Sequence, residues 1–391
     1  MISGADQRRR LRAPAADGAV SRRGRGSVSG AAGLTALVVV LAVLPYVAGP
    51  GVTYQLATLF VLVILASMWN LLAGYSGLVS IGLQAFIGIG SYSLLWLSIH
   101  GVGVYAAIPL AALISAALAL PTAFLVFRLR GGYFAVATWV IAEVALLIVS
   151  QITSLGAGSG ASLNGLSGYD PAQRQADTYW VTLVLTVATL LGIYLLLRSR
   201  LGLGLTAIRD SESAAGSLGV EVNRAKLVAY LIAALGCGAA GAVILANSLE
   251  VAPDSAFSVQ WTAYMIFCVM VGGLGTIEGP VIGAIIFFAL QYWLSADGAW
   301  YLILIGVLAI IMTVRFRQGI WGLVAARTGI SLFPVGYRVR MSAAAGAGEP
   351  AAAAGGPPSV PLGSGGPGGP ESGPRGPGGE LRGDQQERGP R

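Results

Sequence analysis

Long runs of apolar residues, each about long enough to cross a lipid bilayer, recur along this chain and limit what it can fold into. Hydrophobic residues make up 55% of its 391 positions and charged residues only 10%, whereas about a quarter of the residues in a soluble domain are charged. Because a run of roughly 20 apolar residues is a candidate transmembrane helix, we predict an all-α integral membrane protein with about ten transmembrane helices. The predicted spans are 31–48, 53–73, 78–98, 104–127, 133–152, 179–197, 227–247, 259–275, 280–295 and 300–314.

The positive charges predict how these spans are oriented. With the N-terminus in the cytoplasm, the segments 1–30, 128–132, 198–226 and everything after the last span lie inside. Together they contain every Lys and Arg of the chain except Arg174. Because cytoplasmic segments of membrane proteins are enriched in Lys and Arg, we predict that both termini are cytoplasmic.

Two spans have an alternative interpretation. The short spans 259–275 and 280–295 could form a half-inserted hairpin, which would leave the other orientations unchanged. The first span could be a signal peptide, although its basic N-terminal region is unusually long.

Two tails of biased composition flank the predicted membrane domain, 31–320. Residues 1–30 are rich in Arg, and 321–391 are rich in Gly, Pro and Ala. Neither composition can form a packed core, so we predict disorder in the first tail and, from about residue 342, in the second. The net charge of +7 does not indicate a nucleic-acid partner, because the basic residues lie between apolar spans rather than on one face of a domain.

Glycine and polar residues are dense in the segment 74–93, GYSGLVSIGLQAFIGIGSYS. Gly82 and Gly88 are predicted to let helices approach closely. Ser80 and Gln84 have no partner in lipid, so they must face other helices or water. The segment is therefore either a tight packing element or part of a translocation path, with Asn70 of the preceding span as a further path candidate.

The loop 198–226 contains a stretch of helical composition, 206–218, that is too polar to cross a membrane. It ends at Gly219, as a helix with a glycine C-cap would. Such a helix on the cytoplasmic face is either a solvated connector or a docking surface for a partner. Its candidate docking residues are Arg209, Asp210, Glu212, Ala214, Ala215 and Gly219.

A third glycine-rich segment is 271–283, VGGLGTIEGPVIG. Gly275, Gly279 and Gly283 lie four residues apart, which is the small-residue spacing of closely crossing transmembrane helices. We predict that these glycines serve packing.

Glu143 is the one carboxylate predicted deep in a span. A carboxylate near the middle of the bilayer indicates a functional group or a hydrogen-bonded partner. It is a candidate for the translocation path, and it leaves open a different class of protein, an ion-coupled secondary transporter.

Several kinds of chemistry are excluded by missing residues. The chain has one Lys and no P-loop motif, so it cannot bind and hydrolyse ATP by that route. One His and two separated Cys cannot build a zinc site. We therefore predict no enzyme activity, no metal and no cofactor.

The glycine-rich segments resemble, in their order and residues, the signatures of the branched-chain amino acid ABC permease family, and specifically its LivM-type branch. WNLLAGYSGLVSIGLQAFIGIGSY at 69–92 is similar to the first signature, with Gln84 at the usual His and Leu78 at the usual Gln. ATWVIAEVALLIV at 137–149 resembles the segment with the family's Glu, here Glu143. The loop motif and the last signature are matched at 207–230 and 271–284, and the resemblance covers about 30–320.

The resemblance implies a division of labour between chains. This chain would pair in a bacterial cell membrane with a second, LivH-like permease subunit and two ATP-binding subunits, while an extracytoplasmic binding protein delivers branched-chain amino acids, urea or amides. The helix within 198–226 would then be the coupling helix that docks on an ATP-binding subunit.

Overall fold

Helices and short connections make up nearly all of the fold, as the apolar spans require. The computed structural model describes residues 25–166, 168–294, 300–315 and 319–328, all within one unit, Gly18–Arg340. The helices are α1 (Arg25–Val43), α2 (Pro50–Asn70), α3 (Gln84–Ile99), α4 (Val104–Val126), α5 (Gly132–Ser150), α6 (Pro171–Arg198), α7 (Arg200–Asp210), α8 (Glu212–Ser217), α9 (Val222–Ser248), α10 (Pro253–Ala256), α11 (Val259–Gly272), α12 (Glu278–Leu294), α13 (Trp300–Arg315) and α14 (Gly319–Thr328).

Smaller elements complete the chain. Helix α2 continues into a π-helical turn, and three short 3-10 turns lie in the connections. Two strands, β1 (Ala161–Ser162) and β2 (Glu250–Val251), pair antiparallel. Most of both predicted disordered tails lies outside the described residues, but α1 begins at Arg25, inside the predicted N-terminal tail.

Six helical stretches among the described residues are long and apolar enough to cross a membrane, which agrees with an all-α membrane protein. They are Pro50–Tyr75, Val104–Val126, Gly132–Ser150, Pro171–Arg198, Val222–Ser248 and Pro253–Gly272. The apolar stretches Thr35–Tyr46, Gln84–Ile99 and Glu278–Leu294 are shorter. The prediction of about ten crossings therefore stays a prediction.

Helix α9 lies at the centre of the bundle and packs against α2, α3 and α4. Its inner face is a run of small residues that brings the backbones together. A methyl group at Gly241 would overlap the carbonyl oxygen of Ile87, and Ser91 donates a hydrogen bond of 2.7 Å to the Gly241 carbonyl. Small residues and a buried hydroxyl are what membrane helices use to associate, because lipid supplies no hydrophobic drive between them.

The connections meet in two groups at opposite ends of the long helices. One group joins the segment after α2, the turn between α11 and α12, and the end of α7, which Arg209 brings together. The other contains the strand pair and the contact of Tyr46 with Trp180. A chain that crosses back and forth places its connections at the two ends in turn, as observed here.

Two predicted elements differ from the structure. The span predicted at 78–98 is helical only from Gln84, and 77–83 are not helical, because Trp69, Thr138 and Thr262 bond to backbone groups of this segment. The single helix predicted at 206–218 is two helices, which meet at Ser211 with φ −160°. The first of them, α7, begins earlier than predicted, at Arg200.

Candidate translocation path and coupling surface

The break between α2 and α3 is held by contacts from several helices. Trp69 of α2 donates its indole N–H to the Ser80 carbonyl at 2.9 Å, and the Ser80 hydroxyl accepts from the Gly82 amide at 3.2 Å. A methyl group at Gly82 would overlap the carbonyl of Thr138 on α5. The non-helical segment is therefore closely packed, and Gly82 lies at a point of contact between two backbones.

Gln84, at the first turn of α3, is completely buried. Its side-chain oxygen accepts a hydrogen bond from Thr262 of α11, while its amide nitrogen has no partner in the described part of the chain. The Thr262 hydroxyl also lies 3.3 Å from the Ile81 carbonyl. Thr262 was not among the sequence candidates, because a threonine in an apolar span has no distinguishing pattern.

Asn70 was a path candidate, and the structure places it in a clamp between two chain segments. Its Nδ2 donates to the Thr276 carbonyl at 2.7 Å, and its Oδ1 accepts from the Gly275 amide at 2.9 Å. Asn70 is 2% exposed, so the two bonds satisfy backbone groups that have little access to water. Asn70 thereby joins the end of α2 to the turn between α11 and α12.

Arg209, the penultimate residue of α7, reaches the same place. Its Nη1 donates to the Gly74 carbonyl at 3.0 Å, in the π turn Leu71–Tyr75 that ends α2. Its Nε and Nη2 both lie 3.1 Å from the Asp210 carboxylate. One guanidinium thus connects the loop helices to the end of α2, next to the Asn70 clamp.

Helix α8 is tied to the bundle by an ion pair. Lys226 of α9 lies 2.8 Å from the Glu212 carboxylate, and the lysine side chain is only 13% exposed. Ala215 is buried against the bundle, while Ala214 and Asp210 are exposed. Lys226 was not among the candidate residues, and its partner could not be inferred from one chain.

The outer side of α8 ends on an exposed apolar residue. Leu218 is 81% exposed and precedes Gly219, which has a φ of 84° and ends the helical segment. The Ser211 hydroxyl accepts from the Ala214 amide at 3.3 Å, so the helix is capped at its start as well. Helix α8 is therefore ordered at both ends, with Leu218 exposed beside it.

A cavity of about 550 Å³ lies beside these ties. It is lined by the segment after α2, by the connection between α4 and α5 and by the end of α7, with Lys226 at its edge. Its charged lining residues include Arg130, Arg209 and Glu212. The cavity therefore joins the non-helical segment to the candidate coupling surface.

Glu143 lies on the outside of the chain rather than in its interior. It is exposed on α5, and its Oε1 accepts a hydrogen bond of 3.0 Å from the Trp139 indole. The structure does not bring it together with Asn70, Ser80 or Gln84, so these path candidates do not form one internal site.

The predicted packing glycines stand at close contacts. A methyl group at Gly88 would overlap the Phe257 ring, one at Gly279 the Gly273 carbonyl, and one at Gly283 the Cys268 carbonyl. Gly275 has a φ of 76° and lies in the turn before α12, so it does not share a helix face with Gly279 and Gly283. Only Gly279 and Gly283 therefore lie one helical turn apart on the same helix, as the spacing of four residues predicted.

The described residues contain no group of three His, Cys, Asp or Glu side chains that could hold a metal ion. Both cysteines, Cys237 and Cys268, are free and buried. Among the described residues, the site contains side-chain hydrogen bonds to backbone groups, the ion pairs Arg209–Asp210 and Glu212–Lys226, and the short helix α8.

Comparison with known proteins gives consistent matches. Residues 51–313 match the family described as branched-chain amino acid transport system / permease component. The chain is 30% identical over 315 residues to the high-affinity branched-chain amino acid transport system permease protein LivM of Escherichia coli and of Salmonella typhimurium, covering 73% of this chain and 74% of each relative. It is also 30% identical over 155 residues to the autoinducer 2 import system permease protein LsrC of Klebsiella pneumoniae, covering 36% of this chain and 43% of that one.

Proposed function

The chain belongs to the family of permease components of branched-chain amino acid transport systems, and on that basis we propose that it forms half of the membrane pore of an ATP-driven importer. A second, LivH-like permease subunit forms the other half. Two ATP-binding subunits dock on the cytoplasmic face, and an extracytoplasmic binding protein delivers the solute. The complex lies in the bacterial cell membrane with this chain spanning it several times.

We place the end of the bundle that contains α7 and α8 in the cytoplasm. The basic residues Arg130, Arg209 and Lys226 line the cavity at that end, which agrees with the bias of Lys and Arg toward the cytoplasm. Both termini are then cytoplasmic, and the chain crosses the membrane about ten times.

The observation that carries the proposal is the pair of ties that connects α7 and α8 to the bundle. Arg209 holds the end of α2, and Glu212 holds Lys226 at the start of α9. A solvated connector would need neither tie. A helix that receives force from a partner needs both, because the force must reach helices that cross the membrane.

The route of that force follows from the contacts. A displacement of α7 moves Gly74 through Arg209, and Asn70 passes it to the turn at Gly275–Thr276. The non-helical segment after α2 therefore moves with α8. Nucleotide binding shifts the populations of outward- and inward-facing states to the extent that the ATP-binding subunits prefer one position of α8.

The transported solute is a branched-chain amino acid or a related small solute such as urea or an amide. The LivM relatives are named for branched-chain amino acids and the LsrC relative for autoinducer 2. The sequence identity to LivM extends over more of the chain, which favours branched-chain amino acids.

The alternative, an ion-coupled secondary transporter, would use Glu143 as the coupling group. Such a group binds its ion inside the transporter, near the middle of the membrane. Glu143 is instead exposed on the outside of α5, so its position does not favour this alternative.

The test is a mild-detergent purification of the tagged chain from its host, with the retained proteins identified by mass spectrometry. We expect a second permease and a P-loop ATPase with the unaltered chain. Leu218→Asp, directly after α8, should remove the ATPase but keep the second permease, because it puts a charge into the docking surface. Tyr169→Asp, at an exposed position on the opposite end of the bundle, is the matched control and should keep both.

Two results would oppose the proposal. Recovery of the folded chain alone would mean that it works without an ATPase, and the ion-coupled alternative would replace the importer. If Leu218→Asp retained the ATPase and Tyr169→Asp lost it, the ATPase would dock at the end of the bundle opposite to α7 and α8.

A further inference from the structure

The outer face of α5 presents a carboxylate where a lipid-facing helix should be apolar. Helix α5 has 19 residues, and Glu143 lies near its middle. Among the six candidate spans that the structure describes, α5 is the least buried, with 22% of its most apolar 18-residue stretch buried. An exposed carboxylate at that depth is costly in lipid.

The two faces of α5 differ in a regular way. Phe134, Ala135, Thr138 and Ala142 are buried against the bundle, where α5 packs on α3, α4 and α10. The opposite face is exposed and mostly apolar, and besides Trp139 and Glu143 it includes Val136, Val140, Val144 and Leu147. Glu143 is thus part of a continuous helical stripe that no other part of the described chain covers.

The hydrogen bond from Trp139 does not satisfy this carboxylate. An indole offers one donor, whereas a carboxylate accepts about four hydrogen bonds and a protonated carboxyl still has both donor and acceptor capacity. Lipid tails offer none of these. Another protein helix at the same depth would supply the missing donors.

We infer that the stripe of α5 around Glu143 is the contact surface for the second permease chain, and that this partner presents a basic side chain to Glu143. The inference rests on the proposed function, because it assigns a place to the partner that the importer requires. A second copy of this chain fits less well. In the six candidate spans that the structure describes, Lys and Arg occur only toward the ends of α6 and α9, so a copy would bring no cation to the middle of the membrane.

The first test is photocrosslinking in host membranes with p-benzoylphenylalanine. Placed at Leu147 on the α5 stripe, it should give an adduct with the second permease. Placed at Val184, an equally exposed position on α6, it should give at least about fivefold less. Equal or stronger adducts from Val184, or adducts of Leu147 with this chain itself, would overturn the assignment.

The second test uses the sign of a substitution effect. Glu143→Leu removes a polar group, so at a lipid-facing position it leaves the complex unchanged or improves the yield. At the inferred interface it should lower the amount of second permease retained in detergent by about threefold or more, which is the factor for an average hydrogen bond between membrane helices. Glu143→Gln, which still accepts and donates, should retain more partner than Glu143→Leu, and Val184→Leu on α6, outside the stripe, should change nothing.

These tests separate the inference from the proposed function. If the second permease and the ATPase copurify with the chain but neither test points to α5, the importer stands and the interface lies elsewhere. If no second permease is recovered with the unaltered chain, the proposed function fails first.

Discussion

Arg209→Ala should uncouple ATP hydrolysis from transport in the proposed importer while leaving the complex assembled. The substitution removes the hydrogen bond of 3.0 Å from the guanidinium to the Gly74 carbonyl. A hydrogen bond with a charged partner contributes about 1.5–3 kcal/mol. Because the Arg209 side chain is 41% exposed, we take the lower limit, and about 1.4 kcal/mol corresponds to roughly tenfold in an equilibrium.

The assay is solute transported per ATP hydrolysed, in proteoliposomes that contain the whole complex and saturating binding protein. We expect this ratio to fall about tenfold in Arg209→Ala, because α8 can then move without moving α2. Basal ATP hydrolysis and the subunit composition should stay as in the unaltered complex, since α8 is still capped by Ser211 and tied by Glu212.

Two control variants isolate the link. Arg198→Ala removes an arginine at the same end whose Nη1 bonds at 2.9 Å to Tyr194 of its own helix, so it should leave the ratio unchanged. Asp210→Asn removes the charge partner but leaves the Gly74 bond, so it should have a small effect. An unchanged ratio in Arg209→Ala would refute the idea that force passes through this bond.

Three further substitutions test other parts of the structure. Gly219→Val should reduce transport per ATP while sparing membrane insertion, because a φ of 84° is strained for valine; normal uptake would argue against an ordered end to this segment. Glu212→Lys or Lys226→Glu alone should abolish ATPase coupling, and the double exchange should restore it. If the double exchange failed, the two side chains, 2.8 Å apart, would not act as an ion pair in coupling. Gly283→Ala should lower the free energy of unfolding by roughly 1–3 kcal/mol through overpacking, whereas Gly192→Ala, in open space, should leave the melting temperature unchanged or slightly raised.

The long apolar helices were predictable because each is specified by local composition. The predicted spans at 104–127, 133–152 and 227–247 agree with α4, α5 and α9 to within a few residues at nearly every end. The segment 78–83 was assigned to a helix because it is apolar, but Trp69, Thr138 and Thr262 hold it in a non-helical form through contacts that are distant in sequence. Local composition contains no record of such contacts.

The candidate site was predictable in its parts but not in its connections. The non-spanning helix predicted at 206–218 and its end before Gly219 follow from composition and capping rules, although the break at Ser211 does not. The bond from Arg209 to Gly74 joins residues 135 positions apart, and a single sequence does not indicate such a pair. The outward position of Glu143 was equally hidden, because α5 is apolar on both faces and so has no periodicity to orient it.

Because α2 ends in the π turn Leu71–Tyr75, the direction of the backbone carbonyls there depends on the number of residues in the turn and not only on their side chains. A π turn contains one residue more than the α turn that it replaces. Deleting that residue would restore regular pairing and rotate the following residues by about 100° relative to the preceding ones. The Gly74 carbonyl would then point away from Arg209 although Gly74 and Arg209 were both still present. Relatives that differ in length by one residue here would keep the same signature letters and yet lose the connection that those letters build.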